Sequence, residues 1–194
     1  KLAAESSRMH VTIHQPQFLP WLGYLDKIDQ ADLFIVLDSV QFKKNEWQNR
    51  NRIRVADGCQ WITVPVLHRF GQLVRDVRIN QTVNWRSQHL RALELHYARA
   101  PFRDRYLPEL RSLYEAPWVQ LSDLNLTVIR WLLGAFGITT PVRSASEWET
   151  REEPTDRLID LCRAVDGSVY LSGPGGDEYL DVPRFESSGL RLEM

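Results

Sequence analysis

Apolar and polar positions first alternate in this chain at Val11 and Ile13, predicting a short strand that runs into the polar pair His14 and Gln15. The period then changes, and Leu22, Leu25 and Ile28 fall on one helical face. Residues 33–37 contain no polar position and predict a strand buried on both sides, with Asp38 as the first polar residue at its carboxyl end. A strand, a helix and a strand in this order predict a right-handed crossover and a parallel pair. His14 and Asp38 are then expected near one rim of the sheet, where open α/β sheets usually bind ligands.

Residues 40–60 form a polar connection too long for a simple turn, which points to a folded insertion or an active-site loop. Residues 61–66 predict a strand held to an edge or an end by Pro65, and Leu73, Val77 and Ile79 predict another. Helical spacing follows at Leu90, Leu93 and Tyr97, again after Pro101 at Tyr106, Leu110 and Leu113, and then at Leu121, Leu124, Val128 and Leu132. Ser122 or Asp123 is a candidate cap for the last of these helices, and Gly137 its stop. Residues 139–154 predict no element. A helix after Asp156 presents Leu158, Ile159, Cys162 and Val165 and ends at Gly167, before a strand at residues 169–171. The expected fold class is α/β, a partly parallel Rossmann-like sheet with an inserted helical subdomain. It is expected as one domain over residues 9–194, with the insertion at 84–137. Residues 189–194 look like a strand just entered, so a C-terminally truncated domain is expected, and residues 1–8 are expected to be a disordered terminus or a tag remnant.

The 194 residues, 43% of them hydrophobic, suffice for one substantial core. A net charge of -1 argues against a general nucleic-acid binder but allows a local phosphate site. That balance is uneven: residues 43–54 hold five Lys or Arg against one Glu, and residues 145–194 hold twelve acids against five bases. The two cysteines, Cys59 and Cys162, lack metal-ligand spacing, are expected to be packed, and suit a reducing cytosol. No apolar run approaches roughly twenty residues, so a cytoplasmic location is expected, with any membrane role peripheral and no integral segment.

Residues 14–24 place two prolines, a glycine and the His14, Gln15 pair directly after the first strand, a composition suited to setting polar side chains at the mouth of a pocket. The run His14, Gln15, Pro16, Gln17, Phe18, Leu19, Pro20 and Trp21 resembles the WbqC-like family. The likeness continues through Lys27, Asp38, Gln41, residues 47–52, residues 61–66, Trp85, His89, Tyr97, residues 171–173 and residues 179–181. This resemblance implies a role in surface-polysaccharide biosynthesis, especially O-antigen pathways, with a suggested link to amino-sugar modification. The resemblance also implies a family domain that continues past residue 194.

The candidate catalytic residues are His14, which can accept a proton near neutral pH, and Asp38, which can orient His14 or a substrate hydroxyl, or alternatively cap the next segment. Gln15 can orient a carbonyl or a sugar hydroxyl. Trp21, Gln41 and His89 join the substrate-binding candidates through the resemblance. Trp47, Asn49, Arg50, Asn51 and Arg52 combine a stacking surface, amides and forked donors for a pyrophosphate or carboxylate, and an extended backbone puts the two arginines on one side. Ser172 and Gly173 open a glycine-rich turn that either cradles phosphate or is simply flexible, with Tyr179 beyond it. No metal site is expected, and the cofactor is unknown.

The leading functional expectation is an amino-sugar-modifying transferase, acyl transfer included, whose partners are a nucleotide-linked or lipid-linked sugar and an acyl donor, with no nucleic acid. One alternative is a noncatalytic carbohydrate-binding or assembly protein. Another is a nucleotidyltransferase-like enzyme, because a strand, a His-containing turn and a helix loosely resemble the opening of that class. The paired histidine of that class is missing here, with Gly23 and Tyr24 in the nearby positions.

Overall fold

The alternation at Val11 and Ile13 becomes strand β1 (His10–His14), followed by helix α1 (Leu22–Asp29) and the wholly buried strand β2 (Leu33–Val36). Next come β3 (Arg50–Val55), β4 (Gly58–Thr63), β5 (Val66–Leu67) and β6 (Arg78–Ile79). Helices α2 (Trp85–His96), α3 (Arg103–Glu115) and α4 (Leu121–Phe136) precede β7 (Val142–Ser144). Helix α5 (Pro154–Ala164), strand β8 (Val169–Leu171), helix α6 (Val182–Ser187) and strand β9 (Arg191–Glu193) complete the chain. The computed structural model describes residues 8–176 and 180–194.

Backbone contacts divide the chain into two compact units, one of Lys1–Gln15, Trp21–Ser39 and Leu133–Met194, the other of Pro16–Pro20 and Val40–Leu132. The first is α/β. Its five strands run in the order β7-β2-β1-β8-β9, and every neighbouring pair is parallel. Counted along the chain, the order is 3-2-1-4-5, that of doubly wound nucleotide-binding sheets. The strand order therefore reverses between β1 and β8.

Both faces of the central strands are covered, as an all-parallel sheet requires. Val11, Ile13, Leu33 and Ile35 pack in one cluster with Leu158, Ile159, Leu161 and Cys162 of α5 and Phe185 of α6. Phe34 points the other way, where it meets the Tyr24 ring of α1 at 5.7 Å. Helix α5 starts with Pro154 in its first turn, and the Glu153 carboxylate accepts the Asp156 N–H at 2.7 Å, which answers one of the free donors at the helix start. Buried Thr12 is satisfied by donating to the Leu171 carbonyl at 2.9 Å, a link between β1 and the end of β8.

The second unit pairs β3 with β4 and β5 with β6, both antiparallel. Phe18, Ile53, Ile62, Val64, Trp85, Tyr114, Leu121 and Leu124 share its core. The proline-bounded segment Pro16–Pro20 belongs to this unit because Phe18 is fully buried there and its backbone is pinned from several sides. The Phe18 N–H donates to Trp47 O at 2.9 Å, Asn51 Nδ2 donates to Leu19 O at 2.6 Å, and buried Asn125 Nδ2 donates to Pro16 O at 3.1 Å and to Gln48 O at 2.7 Å.

Several local expectations change. The connection at 40–60 contains strand β3, whose one buried side chain is Ile53, so its alternating arginines hide the strand pattern. The strand expected at 61–66 starts earlier, at Gly58, and ends at Thr63. Val74–Asp76 is a 3-10 turn, which leaves only Arg78–Ile79 as strand. Residues 139–154 supply β7, an edge strand of three residues too short for a periodic signal. Cys59 is exposed, on the open face of the hairpin, whereas Cys162 is buried as expected. The helices expected at 84–137 fall largely in the unit of Pro16–Pro20 and Val40–Leu132, which also includes the hairpin.

Two glycines should respond oppositely to alanine. A Cβ at Gly167 would stand 2.6 Å from Val11 Cγ2 and 3.1 Å from the Cys162 carbonyl oxygen, whereas one at Gly134 in α4 meets nothing within 4 Å. Urea unfolding is expected to show Gly167→Ala losing about 1–3 kcal/mol through overpacking. Gly134→Ala is expected to gain up to about 1 kcal/mol from helix propensity.

Candidate functional site

In the α/β unit a cavity of about 450 Å³ opens where the strand order reverses. His14 and Leu171, the last residues of β1 and β8, contribute to it. Helix α1 adds Gly23, Tyr24, Asp26 and Lys27, and Gln30 at its C-terminal cap continues the face of Gly23 and Lys27 at spacings of four and three residues. The turn from Ser172 to Gly176 adds a further wall, and Trp21 and Met194 also line the cavity. The exposed Trp21 ring lies against Gly23, over the space a Cβ would fill.

The charge pattern follows from burial. His14 Nδ1 lies 3.1 Å from the Gln15 carbonyl oxygen, which only accepts, so Nδ1 carries the proton and Nε2 is left as an acceptor. The Tyr24 hydroxyl donates to the same oxygen at 3.1 Å, and its ring meets the imidazole edge-on at 4.9 Å. Burial, reinforced by the nearby Lys27 charge, lowers the His14 pKa to about 4, so the ring is neutral at pH 7. Burial also lowers Lys27 to about 8, which leaves it mostly ammonium at neutral pH but easily discharged.

The glycine turn is held close to this ammonium: a Cβ at Gly173 would lie 4.0 Å from Lys27 Nζ. Gly176 N–H donates to Gly173 O at 2.9 Å, and a Cβ at Gly176 would strike Ser172 Oγ at 2.0 Å. Ser172 donates its backbone N–H to Glu193 O at 2.7 Å and its hydroxyl to Gly173 O at 3.2 Å. The serine shapes its turn, and among the described residues no base is hydrogen-bonded to its hydroxyl.

Of the residues expected from sequence, His14, Trp21, Ser172 and Gly173 come together at this cavity. Gln15 contributes the carbonyl that fixes the His14 tautomer. Asp38 is buried, and its carboxylate accepts from Ser146 N–H at 3.0 Å and Ser146 Oγ at 2.7 Å, which ties the end of β2 to the turn after β7. Tyr179 lies outside the described residues. Lys27 is a site residue not expected from the sequence, although it sits four residues after Gly23 on the α1 face. Among the described residues, no three His, Cys, Asp or Glu side chains converge as a metal site.

The remaining candidates belong to the second unit. The Trp47 and Trp61 rings meet at a tilt of 34° with centroids 5.5 Å apart, and the extended β3 puts Arg50 and Arg52 on one face, their guanidiniums 4.2 and 5.4 Å from the Trp61 ring. Buried Asn49 donates to Val64 O at 3.1 Å and accepts the Asn45 N–H at 3.0 Å, so its amide, like that of Asn51, holds backbone. Gln41 forms an isolated bridge with Leu73. Buried His89 lies 3.1 Å from the Thr63 carbonyl oxygen and 3.3 Å from the Tyr114 hydroxyl, with burial holding its pKa near 4.

The WbqC-like protein family matches residues 15–194. The chain belongs to this family. An uncharacterized protein of Mycobacterium tuberculosis is 36% identical to it over 185 residues, covering 94% of this chain and 80% of that relative. No solved structure matches the chain significantly. The family match takes in Trp21, Lys27 and the 172–176 turn and begins immediately after His14.

His89 should make folding pH-dependent. Its pKa is about 4 in the folded chain against an ordinary 6.5, so the unfolded chain binds more protons between those values. Stability from this group is full above about pH 6.5 and falls as the pH drops toward 4, by roughly 2–3 kcal/mol. Urea unfolding across this range should show a flatter pH slope for His89→Gln, and an unchanged slope would contradict the assignment.

Proposed function

We propose that the chain is a transferase acting on an activated amino sugar in bacterial surface-polysaccharide biosynthesis, O-antigen assembly included, with acyl transfer to the sugar amine as its reaction. The cavity at the strand-order reversal would hold the phosphate-bearing part of a nucleotide-linked sugar. One observation supports this above others: a neutral imidazole, His14, and an ammonium, Lys27, line the same cavity beside a glycine turn. Phosphate oxygens suit the ammonium and the approachable backbone of the turn.

In acyl transfer the amine lone pair attacks the acyl carbonyl, a C–N bond forms, the bond from the acyl carbon to its leaving group breaks, and the amine loses a proton. His14 Nε2, with Nδ1 committed to the Gln15 carbonyl, accepts that proton and passes it to the departing group. With a pKa near 4 it is a weak base, so it acts as the amine proton becomes acidic on attack. Asp38 is a positioning residue that fixes the end of β2 through Ser146.

Nucleotidyl transfer is a second reading, favoured by the 3-2-1-4-5 strand order and by a histidine at the end of the first strand. It releases pyrophosphate, whereas acylation leaves the nucleotide intact. Carbohydrate binding without turnover draws its support from the adjacent, partly exposed Trp47 and Trp61 rings.

Mass analysis of reactions with nucleotide-linked amino sugars and acyl donors is expected to find acylated sugar. His14→Gln should cut turnover by about a hundredfold or more with binding retained. Pyrophosphate release would establish the second reading, and binding without any mass change the third. Sugar-nucleotide affinity should fall as the pH rises through about 8, where Lys27 loses its charge, and Lys27→Arg should retain affinity above that pH. Affinity that ignores both pH and Lys27 would remove the phosphate assignment.

A further inference from the structure

The second unit carries a cavity that the proposed chemistry does not use. It has a volume of about 260 Å³ and is bounded by the end of α2, the turn through Ala100 and Pro101, the start of α3, and α4. Two of its aromatic walls, Tyr97 and Trp131, have their polar tips occupied elsewhere. The Tyr97 hydroxyl accepts the Arg54 N–H at 3.1 Å, and Trp131 Nε1–H donates to Glu109 Oε2 at 2.7 Å. Tyr106 stands edge-on to Trp131 at 6.3 Å, and buried Leu110 closes the wall. The chamber presents ring faces and aliphatic carbon, and water gains little by filling it.

Arg103 breaks this apolar pattern. It lines the cavity, and its Nε is buried without a hydrogen-bond partner, while a terminal nitrogen pairs with Asp104 at 2.6 Å. Arg99 and Arg105 are exposed on the same stretch, so residues 99–105 hold three arginines against one aspartate. Phe102, also at the cavity, is 65% exposed. An apolar chamber beside guanidiniums suits a chain with an anionic head. A free acyl ligand entering the chamber would leave Phe102 in water, whereas a bilayer surface would cover it.

We propose that this cavity receives one acyl chain of an anionic phospholipid at a membrane surface, with Phe102 entering the acyl boundary and the three arginines facing lipid phosphates. The attachment stands on residues other than those of the transfer site, so either assignment can fail alone. Flotation of the full chain with phosphatidylcholine vesicles, with and without phosphatidylglycerol, tests it. The chain is expected to float only with the anionic vesicles. Arg105→Gln should lower affinity about fivefold. Phe102→Asp should abolish flotation, while an unchanged melting temperature shows that the variant is folded. Failure to float with either vesicle, or equal flotation with neutral ones, would overturn the proposal. Calorimetric binding of decanoate in solution without flotation would assign the cavity to a soluble acyl ligand and overturn the membrane source.

Discussion

Strand β1 shares parallel ladders with β2 on one side and β8 on the other, its Ile13 opposite Ile35 and its Val11 opposite Tyr170. These residues are almost fully buried, so a slip of one position would carry Val11 and Ile13 to the opposite face and strand Thr12 away from the Leu171 carbonyl. The ladders therefore fix where β1 ends. That end is His14, and because strand order reverses between β1 and β8, the chain leaves the two strand ends in different directions and a crevice remains. Packing alone thus brings a histidine, the turn after Leu171 and the first helix to one place.

The crevice is chemically costly for the fold. His14 and Lys27 would each be easier to ionise in water, and burial disfavours the charged form of both. Among the described residues no carboxylate pairs with Lys27, in contrast to Asp156, which binds both Arg151 and Arg184. A protein shaped by stability alone gains nothing from a half-buried ammonium beside a neutral imidazole. Sites that bind or react commonly carry such local destabilisation. The glycines fit the same pattern, since Gly176 leaves the room that Ser172 Oγ occupies and keeps the turn tight.

Much of this frame was legible in sequence because its signals are local. Val11, Ile13 and the unbroken apolar run of β2 identify central strands, and Leu158, Ile159 and Cys162 identify the helix behind them. Strand β7 was not legible, since three residues including Arg143 carry no period and their pairing with β2 is a long-range fact. Strand β3 was masked by its own arginines. At the site, His14 stood out by its place at a strand end, whereas Lys27, named only in the family likeness, carried no assigned role until α1 was set against the 172–176 turn. Asn49, Asn51 and His89 looked like ligand-binding groups, and their hydrogen bonds are spent on backbone and on Tyr114, because buried polar groups must find partners.

The crevice between the ends of β1 and β8 is the proposed site for a phosphate-bearing sugar. Chemical-shift mapping by NMR during titration with a nucleoside diphosphate sugar tests it most directly. The largest shifts are expected on the amides of Gly173, Gly175 and Gly176 and on the side chains of His14 and Lys27. Shifts confined to other parts of the chain, or none at saturating ligand, would contradict it.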